Sequence, residues 1–503
     1  MEGGFSVLIQ LPDSFAAQMK SMLGGEFDSF MASYGQPPVK GLRLNRLKPP
    51  TQLSALNLQL SAPAVPWCAD GHYFPENIRP AKSIAYHAGL FYIHEPSAML
   101  PVELLDVKPG MKVLDLCAAP GGKSTQIAGH LMGEGLLVSN DSSPSRVHAL
   151  VKNIERAGVT NAVVLTEQPW KLAQRFGSFF DRILVDAPCS GEGMFRREPD
   201  VVKAYNANKP EVCAAVQKEI LHHASRMLKQ GGKMVYSTCT FNSVENEDVV
   251  SAFLDAHGDF VLADACDVGV DQAGLRELCG GGLRQVVRIF PHRSPGEGHF
   301  AALFERTGIA GGGEDGGAGG CAGGRSGKKS LGASRLSSLG RDMLREFGLF
   351  CENFLFEQLQ SEQLQCERFQ SKRFSGGIVS VHGDNIYYTP VPLDLSGLRV
   401  ARSGWHVGSV SKNRFSPSHA LAMGLKEGGA RFSVDLSEED AWRYLRGQSP
   451  EWNEWSAERE AGAKSASTEK PWVLICCRSH PLGWARLVSG RLKNQMPVGW
   501  VVS

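Results

Sequence analysis

Five short apolar runs, KVLDLC, GLLVSND, NAVVLT, DRILVDA and KMVYST, lie along residues 112–238 with helix-like segments between them. Runs this short, apolar at successive positions, suit strands buried on both faces. Between the second and third, SPSRVHALVKNIERAG carries Val147, Leu150, Val151 and Ile154 at i, i+3, i+4 and i+7, with Gly158 as its stop. Before the fifth, KPEVCAAVQKEILHHASRMLKQGG reads as a helix with Pro210 near its start and Gly231-Gly232 at its end. Strands alternating with helices predict an α/β, mostly parallel, doubly wound sheet.

That sheet accounts for less than half of the 503 residues, so further modules are expected. Residues 1–100 form a separate α+β module: DSFAAQMKSMLGGEFDSFMASY is helical in pattern, and GLRLNRLK is strand-like and basic. The sheet domain spans 101–306. A linker covers 307–335, where 12 glycines fall within the 25 residues 308–332. A C-terminal α+β module is expected over 336–455 and a last β-module over 456–503, with the polar stretch 456–470 as a loop. No apolar run approaches the roughly 18 residues of a membrane span, and MEGGFSVLIQLPDSF lacks a basic leader region. The 12 cysteines show no C-x-x-C pair and no zinc spacing. We therefore expect a cytoplasmic chain with reduced thiols, no metal and no membrane association. The net charge of +1 gives no global sign of a nucleic-acid partner.

In an open parallel sheet, ligands bind beyond the C-terminal strand ends. VLDLCAAPGGKST (113–125) places a small-residue turn there, and Ala118, Ala119, Gly121 and Gly122 admit a ligand close to the backbone. A phosphate loop would need glycine where Cys117 stands, and the dinucleotide fingerprint is absent. The turn alone fits a tight strand-to-helix connection with no ligand; a third ligand reading is S-adenosyl-L-methionine, whose ribose diol suits a carboxylate at the next strand end. Asp141 occupies that place.

Cys189 and Cys239 lie just beyond the fourth and fifth runs, in DAPCSG and YSTCTF, with Asp186 at the same rim. A single cysteine is most often a small buried hydrophobe. Two at functional strand ends beside a methyl-donor turn suit methylation at carbon 5 of a pyrimidine. A thiolate adding to carbon 6 makes carbon 5 nucleophilic, and a carboxyl kept neutral could protonate ring N3. One cysteine suffices for attack; the other is left for base or release work.

LDLCAAPGGKS, ND, DRILVDAPCSGEGMFRREP, GGKMVYSTCTFNSVENEDVV and the hairpin RIFPHRSPGEGHFAALFER resemble the motifs of Sun-domain RNA 5-methylcytosine methyltransferases from about residue 38 to 306. The resemblance implies a Rossmann-like class I methyltransferase fold. It implies Cys239 as nucleophile and Cys189 as the thiol that assists release, although DNA cytosine methyltransferases attack with a Pro-Cys thiol. Cofactor positions fall on Cys117, Ala118, Ala119, Pro120, Gly121, Gly122, Lys123, Asp141 and Asp186, with Glu167 at the adenine side. His94, in GLFYIHEPSAMLPV, is read as structural.

GLRVARSGWHVGSVSKNRFSPSHALAMGL and HPLGWARLVSGRLKNQMPVGW resemble the C-terminal segments of the small-subunit ribosomal RNA methyltransferase F type, which ends in a PUA-like module. Arg478, Arg486, Arg491 and Lys493 are interleaved with Trp472, Trp484 and Trp500, as RNA contacts require, although a β-module with an aromatic core and a solvated basic face fits equally. Arg399, Arg402, Lys412 and Arg414, with GLRLNRLK, would hold RNA from other sides. The expected partner is ribosomal RNA or the small subunit, with tRNA as the enzyme alternative, a non-catalytic assembly factor as the other, and no DNA.

Overall fold

The computed structural model describes residues 10–49, 61–265, 283, 285–307, 338–355, 377–426, 428–451, 471–488 and 491–502; the glycine-rich stretch 308–332 and the polar stretch 456–470 lie outside these. The first helical segment is two helices, Asp13–Leu23 and Phe27–Ser33, broken where Gly24 takes φ +53°. β1 (Gly41–Leu44), β2 (Ser61–Ala64), β3 (Gly71–Tyr73) and β4 (Phe91–Ile93) form a small sheet in the order β2-β3-β1-β4.

The five apolar runs all become strands: β5 (Lys112–Asp115), β6 (Leu136–Asn140), β7 (Ala162–Leu165), β8 (Phe180–Asp186) and β9 (Leu228–Thr238). They pair in parallel in the order β7-β6-β5-β8-β9. Beyond β9 the sheet turns antiparallel through β10 (Phe260–Ala263), β11 (Val287–Ile289) and β12 (His299–Arg306), with β12 against β9 and both β10 and β11 paired to β12. The chain reverses its direction of winding at β5, which has β6 on one side and β8 on the other, so the ligand crevice opens there. One sheet face packs Leu184, Val235 and Ala301 under helix Gly122–Leu131 and under Trp67 and Met99. The other packs Ile183, Val185 and Tyr236 against helix Lys209–Met227.

One helix end differs from expectation. Helix Lys209–Met227 stops before Gly231-Gly232, because Leu228 is extended and already pairs with Phe180. The next pair on the ladder is Arg182 with Lys233, so both glycines lie in a bulge, with Gly231 at φ +71°.

The C-terminal part folds back onto the sheet domain. β13 (Ile378–His382), β14 (Asn385–Thr389), β16 (Trp405–Ser411) and β17 (Arg414–Pro417) make one antiparallel sheet beside helix Ser338–Phe354. Between them β15 (Val400–Arg402) leaves that sheet and pairs antiparallel with β7, covering its edge. β18 (Ser433–Asp435), β19 (Trp472–Cys477), β20 (His480–Val488) and β21 (Arg491–Asn494) form the closing sheet. β18 pairs in parallel with β19, so the closing unit begins before residue 456, inside the stretch assigned to the preceding module. Its core is continuous with the N-terminal module through Leu42, Phe91, Val434 and Tyr444. Among the described residues, no helix is long and apolar enough to cross a membrane.

The basic stretch GLRLNRLK is a docking surface and not an RNA-facing one. Buried Arg43 donates to Gly122 O (2.9 Å) and Thr125 Oγ1 (2.8 Å), and Arg46 pairs with Asp70. Lys48 donates to Ala88 O (2.8 Å) and Arg156 O (3.1 Å). Burial pushes the Lys48 ammonium down to about 7 from its ordinary 10.5. The unfolded chain keeps that proton to the higher value. Between the two, the folded chain binds one proton fewer, so stability rises with pH, by up to about 1.4 kcal/mol per unit. Urea unfolding at pH 7.0 and 8.5 should therefore show wild type gaining about 1–2 kcal/mol relative to Lys48→Met; equal pH dependence in both would place the ammonium in a solvated setting.

Candidate active site

The turn after β5 is held by its neighbours. The Asp141 carboxylate, at the end of β6, accepts from Ala119 N (3.2 Å) and Ser143 N (3.0 Å) and lies 3.4 Å from Arg146. Gly121 sits at φ +112° before helix Gly122–Leu131, where a side chain would be strained and would crowd Leu150. Asp115 lies buried beneath the turn. Its Oδ2 accepts from Ser124 Oγ (2.7 Å), while its Oδ1 has no hydrogen-bond partner. Burial pushes its carboxyl up to about 7, partly offset by Ser124. A carboxylate at the rim and an unsatisfied acceptor below a small-residue turn fit a ligand bearing a diol and an ammonium group. Asp115 was not among the residues singled out from sequence, because an acid inside an apolar run carries no mark of its own.

Asp186 ends β8 in register with Ser237 of β9. Its Oδ2 accepts from Lys123 Nζ (2.8 Å) and its Oδ1 from Ser237 Oγ (2.8 Å). Burial disfavours its charge, but the Lys123 ammonium and His299 outweigh burial and hold the carboxyl well below the usual range. Against the expectation of a carboxyl kept neutral, Lys123 and His299 favour the charged, hydrogen-bond-accepting form of Asp186.

Cys189 Sγ and Cys239 Sγ are 3.4 Å apart, two free thiols in contact. The hydrogen bond to Cys239, followed by burial, pushes the Cys189 thiol up, and either sulfur can be the donor of the pair. Two buried glutamates that the sequence did not flag lock the loops around them. Glu192, from the Cys189 loop, accepts from Thr240 Oγ1 (2.6 Å), Phe241 N (2.8 Å) and Asn242 N (3.0 Å) of the Cys239 loop. Glu245, beyond Cys239, accepts from Ser190 N (2.9 Å) and from Gln217 (2.9 Å). Gly193 N donates to Cys239 O (2.8 Å), and a Cβ at Gly193 would press on that oxygen at 3.0 Å.

Glu167 is fully engaged elsewhere. Its Oε1 accepts from Gln168 N (3.1 Å) and Arg399 Nη2 (3.1 Å), and its Oε2 from Arg399 N (3.2 Å) and Lys171 Nζ (3.4 Å). A carboxylate has about four acceptor sites, so nothing remains for an adenine amine. Glu167 instead joins the C-terminal part to Asn140, which bonds its backbone in both directions at 2.9 and 3.0 Å. His94 is buried, with Nδ1 2.9 Å from Arg43, and burial followed by the Arg43 charge holds it neutral, as a structural residue.

Most of the C-terminal basic residues are also occupied. Arg402 is buried against Glu155, Arg478 pairs with Glu438 (2.5 Å), and Arg491 with Glu451 (2.7 Å). Trp472 and Trp484 are core residues, with Arg486 stacked 4.4 Å over Trp472. Trp500 is half-buried against His419 and Lys152. Lys412, Arg414 and Lys493 are exposed.

Comparison with known proteins agrees with this organisation along the whole chain. The family model described as 16S rRNA methyltransferase RsmB/F matches residues 102–305, and the N-terminal domain of 16S rRNA methyltransferase RsmF matches 11–96. The RsmF first C-terminal domain matches 356–425, and the RsmF PUA domain matches 431–502, which brackets the closing sheet. The ribosomal RNA small subunit methyltransferase F of Erwinia tasmaniensis is 29% identical over 97% of this chain and 96% of its own length. That of Escherichia fergusonii is 36% identical over 59% of this chain, and the match spans 64% of its own length. Among solved structures, a methyltransferase homologue from Pyrococcus horikoshii is 27% identical with TM-score 0.50, over 59% of this chain and 96% of its own. NSun6 from the same organism, at 22% identity and TM-score 0.52 over 60% of this chain and all of its own, shares the fold. The chain belongs to the RsmF family of 16S rRNA methyltransferases.

Proposed function

We propose that this protein is an S-adenosyl-L-methionine-dependent RNA cytosine-5 methyltransferase acting in the cytoplasm on small-subunit ribosomal RNA. The observation that carries the reading is the pair of thiols 3.4 Å apart at the ends of β8 and β9, beside an ionised Asp186. The PUA domain match and the names of the relatives support RNA, and ribosomal RNA in particular, as the substrate.

S-adenosyl-L-methionine, when bound, supplies an electrophilic methyl group. The residues that would hold it are those of the 117–123 turn, with Asp141 for the ribose and Asp115 for the amino end. Cys239 Sγ bonds to cytosine carbon 6, and the ring electrons move to carbon 5, which becomes nucleophilic. Asp186, an acceptor, suits the exocyclic N4 amino group and so orients the ring. After methylation a base takes the carbon-5 proton, the double bond re-forms and Cys239 departs as thiolate. The Cys189 thiol, 3.4 Å from Cys239 Sγ, would donate its S–H to a sulfur that leaves carrying negative charge. The target base must leave its stack to reach this crevice, which favours a loop or a partly assembled subunit.

Bisulfite mapping of RNA from a strain lacking the gene should show one or more small-subunit cytosines losing their methyl mark. Loss confined to tRNA would reassign the substrate, and no loss would return the protein to a binding role. Cys239→Ser should lower single-turnover methylation by at least about 10³-fold and form no covalent RNA adduct. Cys189→Ser should accumulate a denaturant-resistant protein–RNA band; the same band in Cys239→Ser instead would reverse the two roles. Arg399, 54% exposed, fixes Glu167 and through it the Asn140–Asp141 strand end. Its replacement by Ala should raise KM for S-adenosyl-L-methionine about fivefold, the effect of a partly exposed pair of about 1 kcal/mol, with kcat within twofold. An unchanged cofactor affinity by calorimetry would show that the C-terminal part does not brace the crevice.

A further inference from the structure

His299 opens β12, and its side is fixed by strand register. Phe300 pairs with Thr238 and packs its ring 6.2 Å from Tyr236 on one face of the sheet. Ala301 pairs with Ser237, and Ser237 pairs with Asp186. Alternate residues of a strand share a face, so His299, two before Ala301, stands on the face of Ser237 and Asp186. Gly298 sets its approach: at φ +123°, a Cβ there would meet the Phe241 ring at 2.4 Å. His299 is 3% exposed, and its Nε2 lies 3.6 Å from Asp186 Oδ1, beyond hydrogen-bond length. Neither ring nitrogen has a hydrogen-bond partner. Asp186 is its neighbour at ion-pair distance, so the buried imidazole has a charged neighbour but no hydrogen bond, and a ring N–H is left to give to a ligand.

The Watson–Crick edge of cytosine presents a donor, the N4 amino group, beside an acceptor, N3. Asp186 supplies an acceptor only, because it is held ionised, and the addition of a thiolate to carbon 6 is helped by a donor at N3. We infer that His299 is a base-contacting residue of this site, donating a ring N–H to N3 of the target cytosine while Asp186 accepts from N4. The pair would then present an acceptor beside a donor. Uracil, with a carbonyl at carbon 4 and an N–H at N3, meets the reverse pattern. Lys123 and Ser237 are donors at the same rim, but both already donate to Asp186, at Oδ2 and Oδ1, whereas the His299 ring makes no hydrogen bond.

The inference rests on the cytosine reading above, and the test separates the two. Full-length wild type, His299→Gln and His299→Phe are assayed for single-turnover methylation of small subunits isolated from the strain lacking the gene. Each rate is divided by the concentration of cofactor-binding sites, so that loss of folded protein is not read as loss of chemistry. Glutamine keeps an N–H donor in a smaller, more polar side chain; phenylalanine keeps an apolar ring suited to a buried strand position. Hydrogen bonding to the base predicts glutamine within about tenfold of wild type and phenylalanine lower by about 100-fold or more. A space-filling role predicts the opposite order, and phenylalanine equal to or faster than glutamine overturns the inference. If wild type itself methylates no cytosine in these subunits, the reading beneath it falls, and the inference falls with it.

Discussion

The exchange of two buried glutamates between the thiol loops is what the rest of the site depends on. β8 and β9 run parallel, so each chain leaves its strand at the same end, and the next residues have no ladder partners. Their backbone N–H groups are buried and need acceptors. Glu192 goes from the first loop to satisfy the second, and Glu245 goes from the second to satisfy the first. Ser190 Oγ and Thr240 Oγ1, 2.7 Å apart, close the same gap. A lone buried carboxylate would be strongly unfavourable, but Glu192 also accepts from Asn242 Nδ2 (3.0 Å) and Tyr205 (3.1 Å). Because each loop carries the other's acceptor, neither thiol can shift alone, and the 3.4 Å sulfur contact follows from the backbone.

Within that frame, environment divides the labour among similar groups. Asp115 and Asp186 are both buried carboxyls in the same crevice, yet burial pushes one up to about 7 while the Lys123 ammonium, against burial, holds the other below the ordinary range. One is a protonatable group beneath the turn after β5; the other is held toward its charged form at the end of β8. Among the thiols, the contact with Cys239 and burial push the Cys189 thiol up.

What could be read from the residues was what a local pattern encodes. Apolar runs marked β5 to β9, periodicity marked helix Pro144–Arg156, and small residues after β5 marked the turn into helix Gly122–Leu131. The paired Pro-Cys and Thr-Cys motifs marked both thiols. Charge was the least legible property, because a side chain's sign does not reveal what it faces. Arg43, Lys48 and Arg402 read as candidates for RNA, yet the fold buries all three. Glu192 and Glu245 look like any loop acids until the loops are placed side by side. Gly231-Gly232 read as a helix stop, but a partner 48 residues before Leu228, Phe180 on β8, had already drawn Leu228 into the sheet.

The C-terminal part is joined to the catalytic sheet more closely than a tethered RNA-binding module requires. β15 extends the sheet past β7 by backbone pairing, and Thr166 N at the end of β7 donates to Arg399 O (2.9 Å). Arg399 then takes Glu167, Glu167 bonds Asn140, and Asn140 Nδ2 reaches Leu116 O at 3.1 Å, just ahead of the cofactor turn. The ends of three core strands are thereby tied to a strand that belongs to another module. Arg402 buries its charge against Glu155 on helix Pro144–Arg156, and breaking such a pair leaves an uncompensated buried charge. The closing sheet in turn shares a core with the N-terminal module, whose Arg43 bonds Gly122 O and Thr125 Oγ1 of helix Gly122–Leu131. Module order along the chain therefore conceals a ring in space, in which the first and last modules meet and the catalytic sheet is braced from both.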